Sequence, residues 1–467
     1  MEVNNLLNNF LDFERENNLF NWQVNGIPVW ELIRLRVFNK IDPAYTDSIK
    51  TTDRKFKKIV VGCKFFILNF FYRNPFKIKK QVDTIVINHP RRKFNYNAGC
   101  YEDIYTDTFL NELASKTNYI VLENYFQLNH FLPASTKKMF YLDKINFLIP
   151  FIKLYRKTKL KPIELSRIKE VEDKLKKKFN VEFDLEKLII KEISVYHYVY
   201  ESLSILFSRL QPKRLIVVVS YIGINQIACL VAKKFNVKVY ELQHGTVGKY
   251  HIGYNYPREV NVKFFPESFI SWGLFWTEKA RMPFHCNIIL AGFPYINMQK
   301  NLLDKNKKRR NQVLVISQMT SDVAYLALEL STLFSLRVLF KPHPREYSEI
   351  ESKYKFLRGI ENIEILDNPK INIYDYYNTS EYVIGSSSTA LIEAASFGAK
   401  IIVMKFPGWE YFDDLQGENI FFAINAKEVA EVISNNNSNS NNNNLKLDDN
   451  FFFIKKSNEE FVSLLMS

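Results

Sequence analysis

Two doubly wound α/β domains in succession are the fold class this sequence predicts. Three observations carry that expectation. Short, almost wholly apolar runs recur, among them DTIVINHP (83–90), RLIVVVS (214–220), QVLVIS (312–317) and KIIVM (400–404). Helical spacing fills the intervals between them, as in IACLVAKKF after RLIVVVS. The alternation then restarts beyond a polar, basic linker near 295–311 that contains KNLLDKNKKRRN. A brief apolar run bounded by turn residues is a strand buried on both faces, and strand–helix–strand alternation builds a parallel sheet covered by helices.

The elements follow in order. Residues 1–82 read as a helical, basic N-terminal appendage, with helical spacing from Ile27 to Val37. The first α/β domain, 83–294, opens on the strand at 83–90, continues through a helix at 104–115 and a strand YIVLEN (119–124), and then a long helical stretch at about 164–209. Strands RLIVVVS and VKVYELQHG (237–245) flank a helix, and FISWG (269–273) and NIILAG (287–292) complete the domain. The second domain, 295–433, alternates QVLVIS, a helix at 323–334, RVLFKPHP (337–344), IEILD (363–367), YVIGSSST (382–389), a helix at 390–397 and KIIVM. Residues 434–450 form an Asn-rich insert of disordered composition, and 451–467 a single C-terminal helix.

Composition narrows the class further. The 467 residues are 47% hydrophobic and 24% charged, a globular rather than disordered balance. Four cysteines, Cys63, Cys100, Cys229 and Cys286, show no metal-ligand or disulfide spacing, so a reducing cytoplasm is expected and no metal site. The start of the chain lacks the basic and apolar regions of a signal peptide, and no apolar run reaches the ~18 residues of a spanning helix.

The net charge of +14 is uneven. Nine basic residues and no acidic one lie between Arg54 and Lys80, around the apolar IVVGCKFFILNFFY (59–72). A Phe-rich stretch flanked by cations suits an anionic membrane interface, where each Lys or Arg is worth about 1 kcal/mol. A weaker repeat spans 137–161, and the alternative for both is a solvated lysine face on a packed helix. Nucleic acid is not expected as a partner, since no nucleic-acid-binding motif is visible.

Ligands of open parallel sheets bind beyond the strands' C-terminal ends, and three polar clusters fall there. In GSSSTALIEAASFGAK (385–400) a strand delivers Ser386, Ser387, Ser388 and Thr389 to a helix N-terminus, a setting for phosphate; an ordinary serine N-cap is the alternative. In KPHPRE (341–346) prolines stiffen a turn around His343, between Lys341 and Arg345. In ELQHGTVGKYHIGYNYP (241–257), Gln243, His244, Gly245, His251 and Tyr254 gather in a Gly- and Tyr-containing loop of the kind sugar sites use.

The order QHG, then HP, then GSSSTALIEAASFGAK resembles GT-B glycosyltransferases, above all the Kdo transferases of capsule biosynthesis and HP-motif polysialyltransferases. Teichoic-acid glycerophosphotransferases are similar in layout. The nonhydrolysing UDP-sugar 2-epimerases share the architecture, but their acidic catalytic motifs are not found. The resemblance covers about 83–430 and implies two Rossmann-like domains, the first binding acceptor and the second a nucleotide-linked donor, CMP- or UDP-sugar, without metal or resident cofactor. It places His343, with Lys341 and Arg345, at the donor phosphate, Ser386 to Thr389 at the phosphate-binding helix start, Glu393 at a ribose, and Gln318 of ISQMTSD near the donor, although the glycines expected beside Gln318 are missing.

A departing sugar needs stabilised negative charge on the nucleotide phosphate and a base for the acceptor proton. His244 is the first candidate base. Asp103 and Asp107 of YEDIYTD follow, each alternatively a helix N-cap or first-turn charge, and His89 lies nearby after the first strand. The function implied is extension of a bacterial surface glycan by a protein that is cytoplasmic and peripheral to the inner membrane, on a glycan or lipid-linked acceptor. A CDP-glycerol-type polyol-phosphate transferase and a non-catalytic glycan- or membrane-binding subunit are the alternatives.

Overall fold

The computed structural model describes residues 3–42, 55–155, 158–303, 310–333, 336–368, 370–415, 417, 419–438 and 449–467. They divide into two units, the first drawn from 1–271, 279–290 and 457–467, the second from 272–278 and 291–456.

In the first unit, Thr84–Ile87 (β1), Tyr119–Glu123 (β2), Met139–Tyr141 (β3), Arg214–Val218 (β4), Lys238–Leu242 (β5), Ser268–Ser271 (β6) and Asn287–Leu290 (β7) form one sheet in the order β7-β6-β5-β4-β1-β2-β3. Every pairing is parallel. β1 and β2 are buried at each position, which is why they consist almost wholly of aliphatic and β-branched residues. Its helices include Val3–Glu16 (α1), Val29–Ile41 (α2), Lys55–Phe71 (α3), Asp143–Tyr155 (α4), Pro162–Phe179 (α5), Leu185–Leu210 (α6) and Gly223–Lys234 (α7). Leu203, Leu206 and Leu210 of α6 and Ile227 and Val231 of α7 share one core with Leu215, Val217 and Val239 of the sheet.

The second unit repeats the plan with Arg310–Ile316 (β8), Arg337–Lys341 (β9), Ile363–Ile365 (β10), Ser380–Gly385 (β11), Lys400–Met404 (β12) and Ile420–Ala423 (β13), ordered β10-β9-β8-β11-β12-β13 and parallel throughout. Ser321–Leu333 (α8), Thr389–Ser396 (α9) and Ala426–Ser438 (α10) accompany it, and Asn458–Met466 (α11) returns to the first unit. In both sheets the chain starts in the middle, steps to one edge, comes back beside its first strand and steps the other way. The reversal falls between β1 and β4 in one unit and between β8 and β11 in the other. Loops leaving the C-terminal strand ends diverge at such a point and open a crevice. Two doubly wound α/β units are therefore present, as expected.

Several segments differ from expectation. The N-terminal helices are not an appendage but part of the first unit, and a buried ion pair fixes them there. Arg34 of α2 donates from Nε to Glu14 Oε1 of α1 at 2.5 Å and from Nη2 to Oε2 at 2.9 Å, and Trp30 Nε1 adds a 2.7 Å bond to the same carboxylate. The same guanidinium donates to the backbone carbonyls of Ile252 (2.7 Å) and Asn255 (2.6 Å). Glu31 accepts from the N–H groups of Lys263 and Phe264, each at 3.0 Å. The helical stretch expected at about 164–209 consists of two helices, α5 being closed by Asn180, whose left-handed φ of 54° makes a C-cap. The C-terminal stretch is also not one helix: Phe452 and Ile454 bond within the second unit to Trp276 and Trp272, whereas Phe461 of α11 lies 5.0 Å from the Phe109 ring in the first. Within the Asn-rich insert, α10 reaches Ser438, and 439–448 lie outside the described residues.

Replacing Arg34 by Ala leaves Glu14 as an unpaired carboxylate in the core, a change that typically costs about 3–5 kcal/mol. The first unfolding transition in guanidinium is expected at a lower midpoint, with the loop at 248–257 opening to protease before the rest of the chain.

Candidate functional site

The reversal point of the second sheet gathers most of the expected donor residues. β8 runs out through Ser317 into Gln318, and adjacent β11 runs out through Gly385 into Ser386 and Ser387. Gln318 Oε1 accepts two hydrogen bonds from Ser387, one from the backbone N–H and one from Oγ, both at 2.8 Å. Ser386 Oγ donates to Phe406 O at 3.1 Å, and Ser388 caps α9 by accepting from Ala390 N at 3.3 Å. Thr389 is the first residue of α9. Three of the four successive hydroxyls thus have named partners in the protein. Gly408, at φ 96°, brings the loop after β12 so close that a Cβ there would stand 2.9 Å from Ser387 Oγ.

On the other side of β8, β9 delivers Lys341 and His343. A buried carboxylate outside the expected set, Glu346, holds both strand ends together. Glu346 Oε2 accepts from the N–H of His343 (2.9 Å) and from Ser317 Oγ (2.8 Å), while Oε1 accepts from Tyr354 Oη. Lys341 Nζ donates to Tyr347 Oη and lies 4.5 Å above that ring. Glu393 accepts from Tyr374 Oη at 3.1 Å on the inner side of α9. The side chain of Arg345 lies outside the described residues.

The reversal point of the first sheet carries a second cluster. β1 ends toward His89, β4 toward Ser220 and Tyr221, and β5 toward Gln243 and His244. The His89 and His244 rings lie 6.3 Å apart, and the Tyr221 ring lies 6.1 Å from His244 and 5.4 Å from His251. Partners assign the protons. Tyr254 Oη donates to Glu241 Oε1 at 2.9 Å, so its oxygen is left to accept from His244 Nδ1 at 3.3 Å. That tautomer leaves His244 Nε2 as an acceptor, 3.4 Å from Tyr221 Oη. His251 Nδ1 accepts from Gly253 N at 3.1 Å, which puts its proton on Nε2, 3.4 Å from the same Tyr221 hydroxyl. Glu241 is fixed in turn by Ser220, from its N–H at 3.1 Å and its Oγ at 2.5 Å. A carboxylate, a tyrosine and a histidine are thereby ordered in one direction, the arrangement that orients a proton acceptor.

Burial sets the charge states. It pushes His89 down to about 4, with the neighbouring Arg91 acting the same way, and His251 to about 4. His244 falls well below the ordinary histidine range through burial and the other two imidazoles. Glu241, buried, is pushed up to about 7.

Asp103 and Asp107 hold other posts. Asp103 is fully buried and accepts from the N–H of His89 (3.1 Å), the N–H of Tyr105 (3.1 Å) and Thr106 Oγ1 (2.7 Å). Asp107 pairs with Arg92 at 3.1 Å and accepts from Asp103 N at 2.9 Å. They shape the turn that carries His89. Gln243 donates to Gly245 O (2.9 Å) and accepts from Ser271 Oγ (3.2 Å), folding the loop back on the sheet. Tyr221, Glu241, Ser220 and Gly253 are additions to the expected set. The one available sequence signal for Ser220 and Tyr221 is their place directly after a buried strand. Gly253 is required because a Cβ there would sit 2.9 Å from the Tyr221 ring.

No family model matches this chain, and no curated protein matches it. Solved structures do resemble it. The UDP-GlcNAc 2-epimerase of Methanocaldococcus jannaschii has a TM-score of 0.46 at 11% identity, over 83% of this chain and 99% of that one. The Neisseria meningitidis UDP-GlcNAc 2-epimerase bound to UDP-GlcNAc gives 0.44 at 12%, over 83% and 100%. The wall teichoic acid polymerase TagF gives 0.45 at 11%, over 88% and 97%.

Histidine Cε1–H resonances followed from pH 8 downward test the electrostatics. His89 and His251 are expected to stay neutral through pH 6.5, the ordinary midpoint, and to titrate near 4. The sign for stability follows: a depressed histidine pKa gives stability that is complete above 6.5 and lost as pH falls toward 4. Glu241 acts oppositely, its contribution being present below about 4.3 and lost as pH rises through about 7. The resonances separate the two where a global melting curve sums them.

Proposed function

We propose that this chain is a glycosyltransferase that moves a sugar from a nucleotide-sugar donor to a growing bacterial surface glycan. One observation carries the reading: Ser387 aims two donors at a single oxygen, Gln318 Oε1, at the reversal point of the second sheet and beside the start of α9. A phosphate oxygen asks for the same convergent donors and gains from the helix dipole. Lys341 and His343 leave the neighbouring strand end and supply cationic and imidazole groups to the same nucleotide phosphate, while Glu346 positions His343.

The second unit thus binds the donor, CMP- or UDP-linked, as a substrate rather than a resident cofactor. The first unit supplies the base, His244. Its Nε2 takes the proton of an acceptor hydroxyl as that oxygen bonds to the anomeric carbon. The bond from that carbon to the phosphate oxygen breaks, and the electron pair leaves on the phosphate. A neutral imidazole held by Tyr254 is ready for this at pH 7, whereas Asp103 and Asp107 are committed to the turn beneath His89. The acceptor is a glycan or lipid-linked glycan, and the partner surface is the anionic cytoplasmic face of the bacterial inner membrane. Among the described residues no helix is long and apolar enough to cross a membrane.

A thermal-shift panel of CMP, CDP, UDP, GDP and TDP tests donor binding. A nucleotide at about 100 times its Kd raises stability by about 2.7 kcal/mol. Ser387→Ala removes one bond to a charged group, about 1.5–3 kcal/mol, and is expected to weaken that nucleotide roughly tenfold to a hundredfold. Protection by none of the five would sink the reading. His244→Asn is expected to keep the nucleotide shift and lose release of nucleotide from donor in the presence of acceptor glycan; unchanged release would move the base elsewhere.

A further inference from the structure

The segment 55–80 and the segment 143–155 are far apart in sequence, yet α3 and α4 pack side by side. Gly62 makes room for the Phe147 ring, whose edge would lie 3.2 Å from a Cβ at that position, and the Phe66 ring packs tilted against Phe147 with centroids 4.7 Å apart. Asn69, a polar break in an apolar run, faces inward, donating to Arg73 O at 3.2 Å and accepting from Lys144 N at 3.4 Å. The inner stripe of α3 is therefore Gly62, Phe65, Phe66 and Asn69.

The outer stripe is Val60, Lys64, Ile67, Leu68 and Phe71, at the three- and four-residue spacing of one helix face. It is open to solvent: Ile67 is 58% exposed, Leu68 48% and Phe71 84%. α4 continues the surface with Phe151, Leu154 at 70% and Tyr155 at 74%. A soluble surface rarely leaves so many large apolar side chains together unless something covers them.

The charges say what covers them. Lys64 lies within the stripe, and Lys77 borders it, its Nζ 5.7 Å above the Phe71 ring; Lys79 and Lys80 follow in the chain and are exposed. No acidic residue occurs from 55 to 80, and the single one in 143–155, Asp143, is buried against His130 at 3.0 Å. The 17 residues of α3 measure about 25 Å at 1.5 Å per residue, short of the ~30 Å hydrocarbon core. An apolar aromatic face with a cationic border on a helix too short to span is matched to an anionic bilayer along whose surface the helix lies.

We propose that α3 and α4 together form one membrane-docking platform, seated on anionic lipid with Ile67, Leu68, Phe71, Leu154 and Tyr155 at the acyl boundary and Lys64, Lys77, Lys79 and Lys80 among the head groups. This rests on and deepens the membrane partner named above: it gives that partner an orientation and joins the two basic stretches, 54–80 and 137–161, in one surface.

Co-sedimentation of the full chain with vesicles tests it. Binding is expected to phosphatidylcholine:phosphatidylglycerol 3:1 and much more weakly to phosphatidylcholine alone. Lys64→Gln with Lys77→Gln, Lys79→Gln and Lys80→Gln is expected to weaken partition by about fivefold per lysine. Leu154→Ser with Tyr155→Ser, on α4 alone, is expected to weaken it at least tenfold at an unchanged melting temperature. A wild-type chain that ignores anionic vesicles overturns the proposal, as does an α4 double variant that binds like wild type. A concentration-dependent dimer in light scattering that the same α4 variant abolishes, without vesicle binding, assigns the face to a second copy and equally overturns it. Thermal shifts by nucleotide, measured on the same variants, remain those of wild type, so failure of the platform and failure of the transferase reading are told apart.

Discussion

The pairing of Arg34 with Glu14 is the constraint on which the first unit depends. Neither group belongs to the sheet, and both are almost completely buried. A charge in that setting persists only if every donor and acceptor is matched. Here the guanidinium divides its N–H groups between a carboxylate on α1 and two carbonyls, those of Ile252 and Asn255. The carbonyls belong to the segment carrying His251 and Tyr254. Helices at the start of the chain thus set the height of a loop more than two hundred residues away, and the tyrosine on that loop sets the tautomer of His244.

The second unit solves the corresponding problem with a single acid. Glu346 receives the N–H of His343, the hydroxyl of Ser317 and the hydroxyl of Tyr354. Two strand ends, β8 and β9, are held at fixed spacing by one carboxylate, and the side chains beyond them inherit that spacing. Each unit therefore has a polar brace one layer beneath the groups that face solvent. Both braces tie segments that leave C-terminal strand ends: the loop after β5 in the first unit, and the ends of β8 and β9 in the second.

What was legible in the sequence follows from the range of the forces involved. Strands such as TIVI and KIIVM announce themselves because burial on both faces demands uninterrupted apolar residues, a local property. The clusters after them were legible for the same reason, being defined by position relative to a strand end. Gln318 is indicated by the family resemblance alone, and its contact with Ser387 follows from adjacency of β8 and β11. The N-terminal helices were not placed, because nothing in the local pattern of Glu14 or Arg34 distinguishes a buried pair from a surface one. Asp103 and Asp107 are candidate bases by sequence because a carboxylate after a strand looks alike whether it faces solvent or builds a turn. Tyr221 and Gly253 make sense only as a pair: the ring lies where a methyl group would otherwise be, and that fit is visible in space alone.

The twofold contact between Ser387 and Gln318 has a thermodynamic consequence. An oxygen arriving at Ser387 does not meet idle donors; it displaces an amide oxygen already bonded to both. Binding there is an exchange, so the gain is the difference between the incoming oxygen and a neutral carboxamide, and a weakly polar visitor gains almost nothing. An anionic phosphoryl oxygen of the proposed donor would gain more, because bonds to an anion are about twice as strong as those to a neutral acceptor. In the phosphate site proposed above, the glutamine would therefore act as a threshold, raising discrimination by charge at the expense of absolute affinity.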